Sequence, residues 1–154
     1  MIKDRLQEII EAKKQKNKHL QELLKNEAEE IKVLLISSCE AIFKEFPDLH
    51  GIRWYQFTPY FMDGDPCVFG IDEISFSFKE NQTIENEEIY AEDFLTLSEF
   101  PTSIRNIYDE IISDLLQNIP YLYKDELEYA FGDHCCITIY SDLKIEVSKY
   151  TNHD

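Results

Sequence analysis

The first 46 residues constrain the fold of this chain more than any other segment. From Ile2 to Phe46 there is neither proline nor glycine, and apolar residues recur at the spacing of one helix face. A polar stretch at 13–19 interrupts the pattern, so the segment forms either one continuous helix or two helices hinged near 14–18. We expect the continuous helix because neither a glycine nor a proline marks the break.

The first half of this helix has an apolar seam that it cannot bury against itself. The seam is flanked by charged residues and comprises Ile2, Leu6, Ile9, Leu20 and Leu24. Apolar residues in this arrangement are typical of a coiled coil or of a contact with another subunit. The sequence therefore predicts a homo-oligomer that is held together through the N-terminal helix.

After Pro47 the chain becomes rich in aromatic and β-branched residues, which favour strands. Phe76 and Phe78 alternate with serines, as expected for a strand with one buried face. We expect strands near 51–58, 66–71 and 73–79, and a terminal hairpin formed by 135–140 and 144–150. The acidic residues 80–100 are predicted to form an exposed loop with one short strand around Ile89.

Two helices are predicted between these strands. The first begins near Ser98, has apolar residues at helical spacing and ends at Pro120. The second covers 124–131 and is closed by Gly132, a residue type favoured just after a helix C-terminus. The predicted fold is α+β: a long N-terminal helix, an antiparallel sheet of four to six strands, and one or two helices before a C-terminal β-hairpin.

The chain divides into a helical arm at 1–46, which continues into the core, and an acidic α+β domain at 47–154. Charge is distributed unevenly along it. Residues 1–26 contain seven basic and four acidic side chains, a charge of +3, whereas residues 27–154 carry a charge of −19. The net charge of −16 repels nucleic acid and anionic membranes, and it favours a basic protein as the partner.

Composition excludes several other classes of protein. Four cysteines are too few for a disulfide framework in 154 residues, and no run of about 18 apolar residues is present to span a membrane. The N-terminus lacks the apolar segment of a secretory signal, so we expect a cytoplasmic protein, in the host cytoplasm if a phage encodes it. Motifs of nucleotide-binding proteins, zinc proteases and serine hydrolases are absent, and we expect no enzyme activity, no cofactor and no metal.

The most distinctive segment is 54–69, which has the sequence WYQFTPYFMDGDPCVF. Its Trp, Thr-Pro-Tyr-Phe, Asp-Gly-Asp and Cys elements resemble a segment of an uncharacterised family of small proteins from tailed phages and bacteria. Phe57 stands where that family has tyrosine, and Met62 where it has asparagine. The resemblance covers about 20 of the 154 residues. It implies no activity, but it implies a phage or mobile-element origin.

Two short motifs have both a chemical and a structural interpretation. The carboxylates of Asp63-Gly64-Asp65 suit a divalent cation, but the motif lacks the later ligands of an EF-hand loop, and we interpret it as a hairpin turn. His134 next to Cys135 suggests an activated thiol, but adjacent strand residues point to opposite faces. We therefore interpret Cys135 and Cys136 as buried strand residues.

Alternation within the first strand predicts which side chains enter the core. Residues two positions apart on a strand face the same side of the sheet. Ile52 and Trp54 should face the core, and Arg53, Tyr55 and Phe57 should face outward. We expect the N-terminal helix to cover the outward-facing residues, because its apolar stripe needs a sheet to pack against.

Two functions remain after these exclusions. The favoured one is a non-enzymatic acidic binding or inhibitor protein, of the phage anti-defence or immunity type, that acts on a basic, nucleic-acid-handling protein. Its expected contact residues are Glu85, Glu87, Glu88, Glu92 and Asp93. The alternative is a small-molecule binder that sequesters a nucleotide-like signal with aromatic rings and an arginine. Its candidate pocket residues are Arg53, Tyr55, Phe57, Tyr60 and Arg105.

Overall fold

The N-terminal segment forms one continuous helix. The computed structural model describes residues 1–60, 64–113, 116, 119 and 122–151. Helix α1 covers Ile2–Glu45, 44 residues, and is about 66 Å long at 1.5 Å per residue. The continuous helix is confirmed, because α1 passes through 14–18 without a break. It ends where the Phe46 N–H donates to the Ile42 carbonyl oxygen at 2.8 Å, one residue before Pro47.

Only the second half of α1 enters the domain. Every residue from 1 to 27 is exposed except Leu24, which is half-buried. The buried residues of the second half are Ala28, Ile31, Leu35, Ser38, Cys39, Ile42 and Phe43. Most of them recur every three or four positions, so one face of α1 packs into the core. Although α1 exceeds the length of a bilayer-spanning helix, no helix in the described part of the chain is apolar enough to cross a membrane.

The described residues form eight strands, of which six belong to one antiparallel sheet. The strand bounds are β1 Leu49–Phe57, β2 Gly70–Ile71, β3 Ser75–Phe78, β4 Gln82–Ile84, β5 Glu87–Ile89, β6 Leu95–Thr96, β7 Cys135–Tyr140 and β8 Ile145–Lys149. The main sheet has the order β6-β3-β1-β7-β8, and β2 pairs with the end of β1. The strand predicted at 66–71 is reduced to β2, because Val68 is 62% exposed and has no core to face. The expected sheet of four to six strands is confirmed.

A second, two-stranded sheet forms where the sequence predicted a loop with one strand. Strands β4 and β5 pair as an antiparallel hairpin, joined by Glu85 and Asn86. Both residues have positive φ, 55° and 66°, which is the backbone pattern of a type I′ turn. Sequence reasoning missed the hairpin because Glu-Asn is not one of the residue pairs that signal this turn.

Two further helices and a short 3₁₀ helix have bounds that lie within the described part of the chain. The helix bounds are Thr102–Ile112 for α2, Lys124–Phe131 for α3 and Leu97–Glu99 for the 3₁₀ helix. Gly132, with a φ of 96°, follows the last residue of α3, as predicted. Tyr108 and Ile112 of α2 are buried, which ties this helix to the core. The helix end predicted at Pro120 lies outside the described residues.

The helices pack on one face of the main sheet. Ile52 and Trp54 point to that face, as predicted, and belong to the same buried cluster as Leu35 and Ile42 of α1. The expectation that α1 covers the outward-facing residues of β1 is therefore wrong. On the outward face the strands beside β1 present polar side chains, namely Ser75, Ser77 and Thr138. The apolar stripe of α1 buries more apolar surface against the opposite face.

Candidate functional site

The predicted acidic contact residues lie on and just after the hairpin of β4, β5 and their turn, which we call the acidic hairpin. Glu85 occupies the turn, and Glu87 and Glu88 lie in β5. All three side chains are exposed, as are those of Glu92 and Asp93 in the following loop. One short segment thus presents five carboxylates to solvent.

Apolar and backbone contacts hold the acidic hairpin in place. Ile89 is 4% exposed, and Ile84 packs against the buried core. At the base of the hairpin, the Ala91 N–H donates to Asn81 Oδ1 at 2.6 Å. The position of the hairpin is therefore set by the folded domain, and its backbone needs no ordering step before it meets a partner.

The carboxylates differ in how far this chain already engages them. The Tyr90 O–H donates to Glu88 Oε2 at 2.7 Å, and this hydrogen bond raises the pKa of Tyr90. Glu92 Oε1 lies 4.0 Å from His50 Nε2. Within the described part of the chain, Glu85 and Glu87 form no ion pair. At the hairpin tip, a basic side chain of another molecule would therefore meet negative charge that no ion pair in the described part of the chain neutralises.

The outward face of the main sheet carries a half-exposed row made of Arg53, Tyr55 and Phe57, which we call the outer-face strip. The Arg53 guanidinium carbon lies 3.6 Å from the centroid of the Phe94 ring, and Arg53 Nε donates to Thr138 Oγ1 at 3.0 Å. A cation over an aromatic face is held by electrostatic attraction to the ring. Contacts within the chain therefore fix the position of Arg53.

Tyr150 partly covers the rest of the outer-face strip. Its ring centroid lies 4.5 Å from that of Tyr55 and 5.4 Å from that of Phe57. Burial, followed by the neighbouring Cys136, raises the pKa of Tyr55, although the charge of Arg53 opposes this shift. The C-terminal end of the chain, rather than α1, thus shields these two rings.

The other two residues of the predicted ligand pocket lie apart from the strip. Tyr60 is 65% exposed and stacks on His134, with ring centroids 5.1 Å apart. Arg105, in α2, donates through Nη2 to the Phe100 carbonyl oxygen at 2.8 Å. Because α2 packs on the core face, Arg105 and Arg53 lie on opposite sides of the sheet. The structure therefore does not bring the five pocket residues together.

The predicted oligomer contacts lie on the exposed half of α1, with one exception. Four of them are between 51 and 79% exposed, namely Ile2, Leu6, Ile9 and Leu20. Leu24 is half-buried because it lies one turn before Ala28, on the face that packs into the core. Leu23, which is 46% exposed, continues the exposed seam in its place.

The adjacent cysteines occupy opposite faces of β7. On the core side, Cys135 Sγ donates to the Gly132 carbonyl oxygen at 3.3 Å, and burial raises the pKa of Cys135 to about 11. On the other side, Cys136 is buried beside Tyr55, its partner in the β1–β7 ladder. A thiol with a raised pKa is a poor nucleophile. The described residues contain no group of three or more His, Cys, Asp or Glu arranged to hold a metal ion, and Asp63 lies outside them.

Sequence reasoning missed a buried polar junction between β1 and the end of α3. Gln56, which is 0% exposed, accepts a hydrogen bond from Trp54 Nε1 at 3.1 Å. It also donates to the carbonyl oxygens of Leu127 at 3.0 Å and Gly132 at 2.6 Å. The sequence did contain a signal for this junction, since Gln56 is a polar residue at a core-facing position of an aromatic strand. A buried amide requires hydrogen-bond partners, so such a residue indicates a polar contact inside the core.

Asp133 joins the same two elements at the surface of this junction. Its carboxylate accepts hydrogen bonds from the Thr58 N–H and hydroxyl, both at 2.7 Å, and from the His134 N–H at 2.8 Å. Burial alone would raise the pKa of Asp133, but the hydrogen bonds from Thr58 and His134 lower it below its ordinary value. Asp133 thereby holds the segment that follows β1 against the segment that precedes β7.

No protein-family model, curated protein or solved structure matches this chain. Its function is therefore inferred from the chemistry of its surfaces. Among these, the acidic hairpin combines a fixed position with exposed, unneutralised charge.

Proposed function

We propose that this chain is a non-enzymatic acidic binding protein that docks onto a basic, nucleic-acid-handling protein through the acidic hairpin. The observation that carries the proposal is that all seven carboxylates between residues 80 and 100 are exposed, in a segment without a basic side chain. Residues 27–154 carry a charge of −19, so the surrounding domain adds to the negative potential. Such a potential accelerates association with a basic cleft.

The backbone of the hairpin turn supports a binding role. A glutamate at a φ of 55° costs about 1–2 kcal/mol relative to an ordinary conformation. The turn keeps this conformation because Ile84 and Ile89 anchor the strands on either side. Strained backbone that the rest of the fold maintains is common at binding sites, and here it projects a carboxylate from the tip.

The chemistry of the hairpin fits a groove built for nucleic acid. Carboxylates share with phosphates a negative charge and the ability to accept hydrogen bonds from lysine and arginine. A protein that fills such a groove prevents the nucleic acid from binding and thereby inhibits the nucleic-acid-handling partner. The resemblance of residues 54–69 to small tailed-phage proteins implies a phage or mobile-element origin but no activity. For a chain of that origin, the inhibitor role would be of the anti-defence or immunity type and would be exercised in the host cytoplasm.

The test compares three forms of the chain in a capture experiment. The hairpin triple variant carries Glu85→Gln, Glu87→Gln and Glu88→Gln. The matched control variant removes the same charge from exposed residues elsewhere, with Asp72→Asn, Glu73→Gln and Glu110→Gln. Each form is immobilised, exposed to nuclease-treated host lysate and eluted with a salt gradient. Retained proteins are identified by mass spectrometry, purified and used in direct binding measurements.

We expect the wild type and the matched control variant to retain the same basic nucleic-acid-binding protein, and the hairpin triple variant to lose it. With the purified partner, the triple variant should associate about tenfold more slowly. Association of the wild type should slow as salt rises, because exposed charges are screened within about 8 Å at physiological ionic strength. The wild type should also displace DNA from the partner. Salt-insensitive binding, or equal loss in both variants, would contradict docking through the hairpin.

The outer-face strip supports a second candidate function, the binding of a nucleotide-like small molecule. A guanidinium and two aromatic rings lie side by side and half exposed on one sheet face. Rings of this kind stack on planar bases. Tryptophan and tyrosine fluorescence can be titrated with nucleoside mono-, di- and triphosphates, using Tyr55→Ala and Arg53→Lys as comparisons. Saturable quenching that both variants lose would support this function, and no response at millimolar nucleotide would refute it.

A further inference from the structure

Most of the exposed apolar residues of α1 follow one heptad pattern, and Ile10 and Val33 lie beside it. The large exposed ones at this spacing are Ile2, Leu6, Ile9, Leu20, Leu23 and Leu34. Alternating steps of four and three residues connect all of them and define twelve positions, which we call the exposed heptad face. The face comprises Ile2, Leu6, Ile9, Lys13, Lys16, Leu20, Leu23, Glu27, Glu30, Leu34, Ser37 and Ala41. Every one of these side chains is exposed.

The exposed heptad face is distinct from the face that enters the core. The core-facing residues Leu24, Ala28, Ile31, Leu35, Ser38 and Ile42 follow the same alternation, displaced by one residue. One residue corresponds to about 100° around an α-helix with 3.6 residues per turn. The exposed heptad face therefore runs beside the folded domain without being covered by it, from one end of α1 to the other.

We propose that two copies of this chain pair through the exposed heptad face as an antiparallel coiled coil, in the register where the numbers of facing residues add up to 43. An antiparallel pair places the first position of each heptad core opposite the second position of the other helix. The facing pairs are then Ile2–Ala41, Leu6–Ser37, Ile9–Leu34, Lys13–Glu30, Lys16–Glu27 and Leu20–Leu23, each occurring twice. The two-fold axis passes between residues 21 and 22, and the contact extends over about 60 Å of each helix.

Charge complementarity selects this register. The exposed heptad face has two charged interruptions, one basic at Lys13 and Lys16 and one acidic at Glu27 and Glu30. In the proposed register each lysine meets a glutamate of the other copy, so the two interruptions neutralise each other. Within the described part of the chain none of the four forms an ion pair, so all four are available to pair with a second copy.

Other arrangements of the same two helices place unlike or repelling residues together. A parallel pair would put Lys13 against Lys13 and Glu27 against Glu27. An antiparallel pair shifted by one heptad in either direction would place the charged residues against leucines or isoleucines, except that Lys13 would face Ser37 in one of the two shifts. A shift by two heptads would place Lys13 against Lys16, or Glu27 against Glu30. A parallel pair staggered by two heptads would also join Lys13 to Glu27, but it would place Ile2 against Lys16 and would not close as a symmetric dimer. Among symmetric dimers, only the proposed register matches both the apolar and the charged positions.

The residues that flank one side of the exposed heptad face agree with this register. In an antiparallel pair the flanking positions of the two helices face each other, displaced by about one residue from the core layers. The resulting pairs are Arg5–Glu40, Ala12–Val33 and His19–Asn26. The first joins opposite charges, the second joins apolar side chains and the third joins polar ones. The pairing thereby gives Val33, which is 64% exposed in the single chain, an apolar neighbour.

Charge reversal tests the proposal through four forms of the full chain. The acidic-face variant carries Lys13→Glu and Lys16→Glu, and the basic-face variant carries Glu27→Lys and Glu30→Lys. The third form combines all four substitutions. A matched control carries Lys14→Glu and Lys18→Glu, which change the charge equally but lie off the exposed heptad face. Sedimentation equilibrium gives the mass of each form, and circular dichroism verifies that each one is folded.

We expect the wild type to have twice the chain mass of 18.3 kDa. The acidic-face and basic-face variants should each dimerise with a Kd at least tenfold higher, because like charges then meet in the core. An equimolar mixture of the two should form a heterodimer, and the fourfold variant and the matched control should dimerise like the wild type. A monomeric wild type, or dimerisation of both face variants at wild-type affinity, would overturn the proposal.

Disulfide cross-linking tests the register independently. Ile9→Cys and Leu34→Cys are made separately in a Cys67→Ser background, since Cys67 is the exposed native thiol. On mild oxidation only the mixture of the two variants should give a covalent dimer, because Ile9 of one copy faces Leu34 of the other. Covalent dimers of the Ile9→Cys variant alone would show a parallel pair and refute the antiparallel register.

Discussion

Replacing Gln56 with leucine tests whether the junction between β1 and α3 stabilises the fold. Leucine is similar in size, so the change removes hydrogen bonds without opening a large cavity. Trp54 Nε1 loses its acceptor, and the carbonyl oxygens of Leu127 and Gly132 lose a donor, inside a site where Gln56 is 0% exposed. A buried group left without a partner costs about 1–3 kcal/mol. Cys135 Sγ still lies 3.3 Å from the Gly132 oxygen, which limits the loss there.

We therefore expect Gln56→Leu to lower the free energy of unfolding by about 3 kcal/mol. Urea denaturation followed by tryptophan fluorescence measures this change. With a slope of about 2 kcal/mol per molar urea, the midpoint should fall by about 1.5 M. The protein concentration must be the same for all variants, because the proposed dimerisation would make the apparent stability depend on it.

A double-mutant cycle with Trp54→Phe separates the hydrogen bond from other effects. Phenylalanine has no ring N–H, so in its presence Gln56→Leu should cost about 1 kcal/mol less than in the wild type. As a control, Gln82→Leu, at a half-exposed strand position, should stay within about 0.5 kcal/mol of the wild type. Additive effects of Trp54→Phe and Gln56→Leu, or a Gln56→Leu variant as stable as the wild type, would refute the role assigned to the junction.

Three further results are expected. Deleting residues 1–18 should yield a folded monomer, because these residues are exposed and contribute half of the large apolar side chains of the exposed heptad face. Sedimentation measures the mass and circular dichroism the folding, and an unchanged dimer would contradict this expectation. Tyr55→Ala should lower the free energy of unfolding, measured by urea denaturation, by about 1–2 kcal/mol. This is below the roughly 3–5 kcal/mol of a fully buried aromatic, because the Tyr55 ring is half exposed. A loss above about 3 kcal/mol would indicate that the ring is completely buried. Because the folded pKa of Asp133 is lowered, its contribution is present above its unfolded pKa of about 3.9 and is lost as pH falls through the folded value. Between about pH 5 and pH 2 the wild type should therefore lose more stability than Asp133→Asn, and parallel pH profiles would argue against this linkage.

Local pattern in the sequence determined the elements whose formation depends on neighbouring residues. A run from Ile2 to Phe46 without glycine or proline specifies a long helix, because helical hydrogen bonds and side-chain contacts join residues three and four apart. Alternation specified that Ile52 and Trp54 share the core-facing side of β1. Gly132 marked the end of α3, because glycine tolerates the positive φ found there.

Contacts between residues distant in sequence decided how the helices pack on the sheet. Judged by its own sequence, the apolar stripe of α1 could pack on either face of the sheet. It packs on the face that carries apolar side chains, because the other face carries Thr138, Ser75 and Ser77. The same long-range choice half-buried Leu24 and left Leu23 exposed. It also separated Arg105 from Arg53, since the sequence cannot indicate the side of the sheet on which a helix packs.

The acidic hairpin shows the same division within one segment. Its charge and exposure follow from composition alone, because the seven carboxylates of residues 80–100, which have no counterion in that segment, cannot be buried. Its shape does not follow from composition, since Glu85 and Asn86 are ordinary loop residues in sequence. The core holds Ile84 and Ile89, and those two contacts draw the flanking residues into paired strands and force the turn between them.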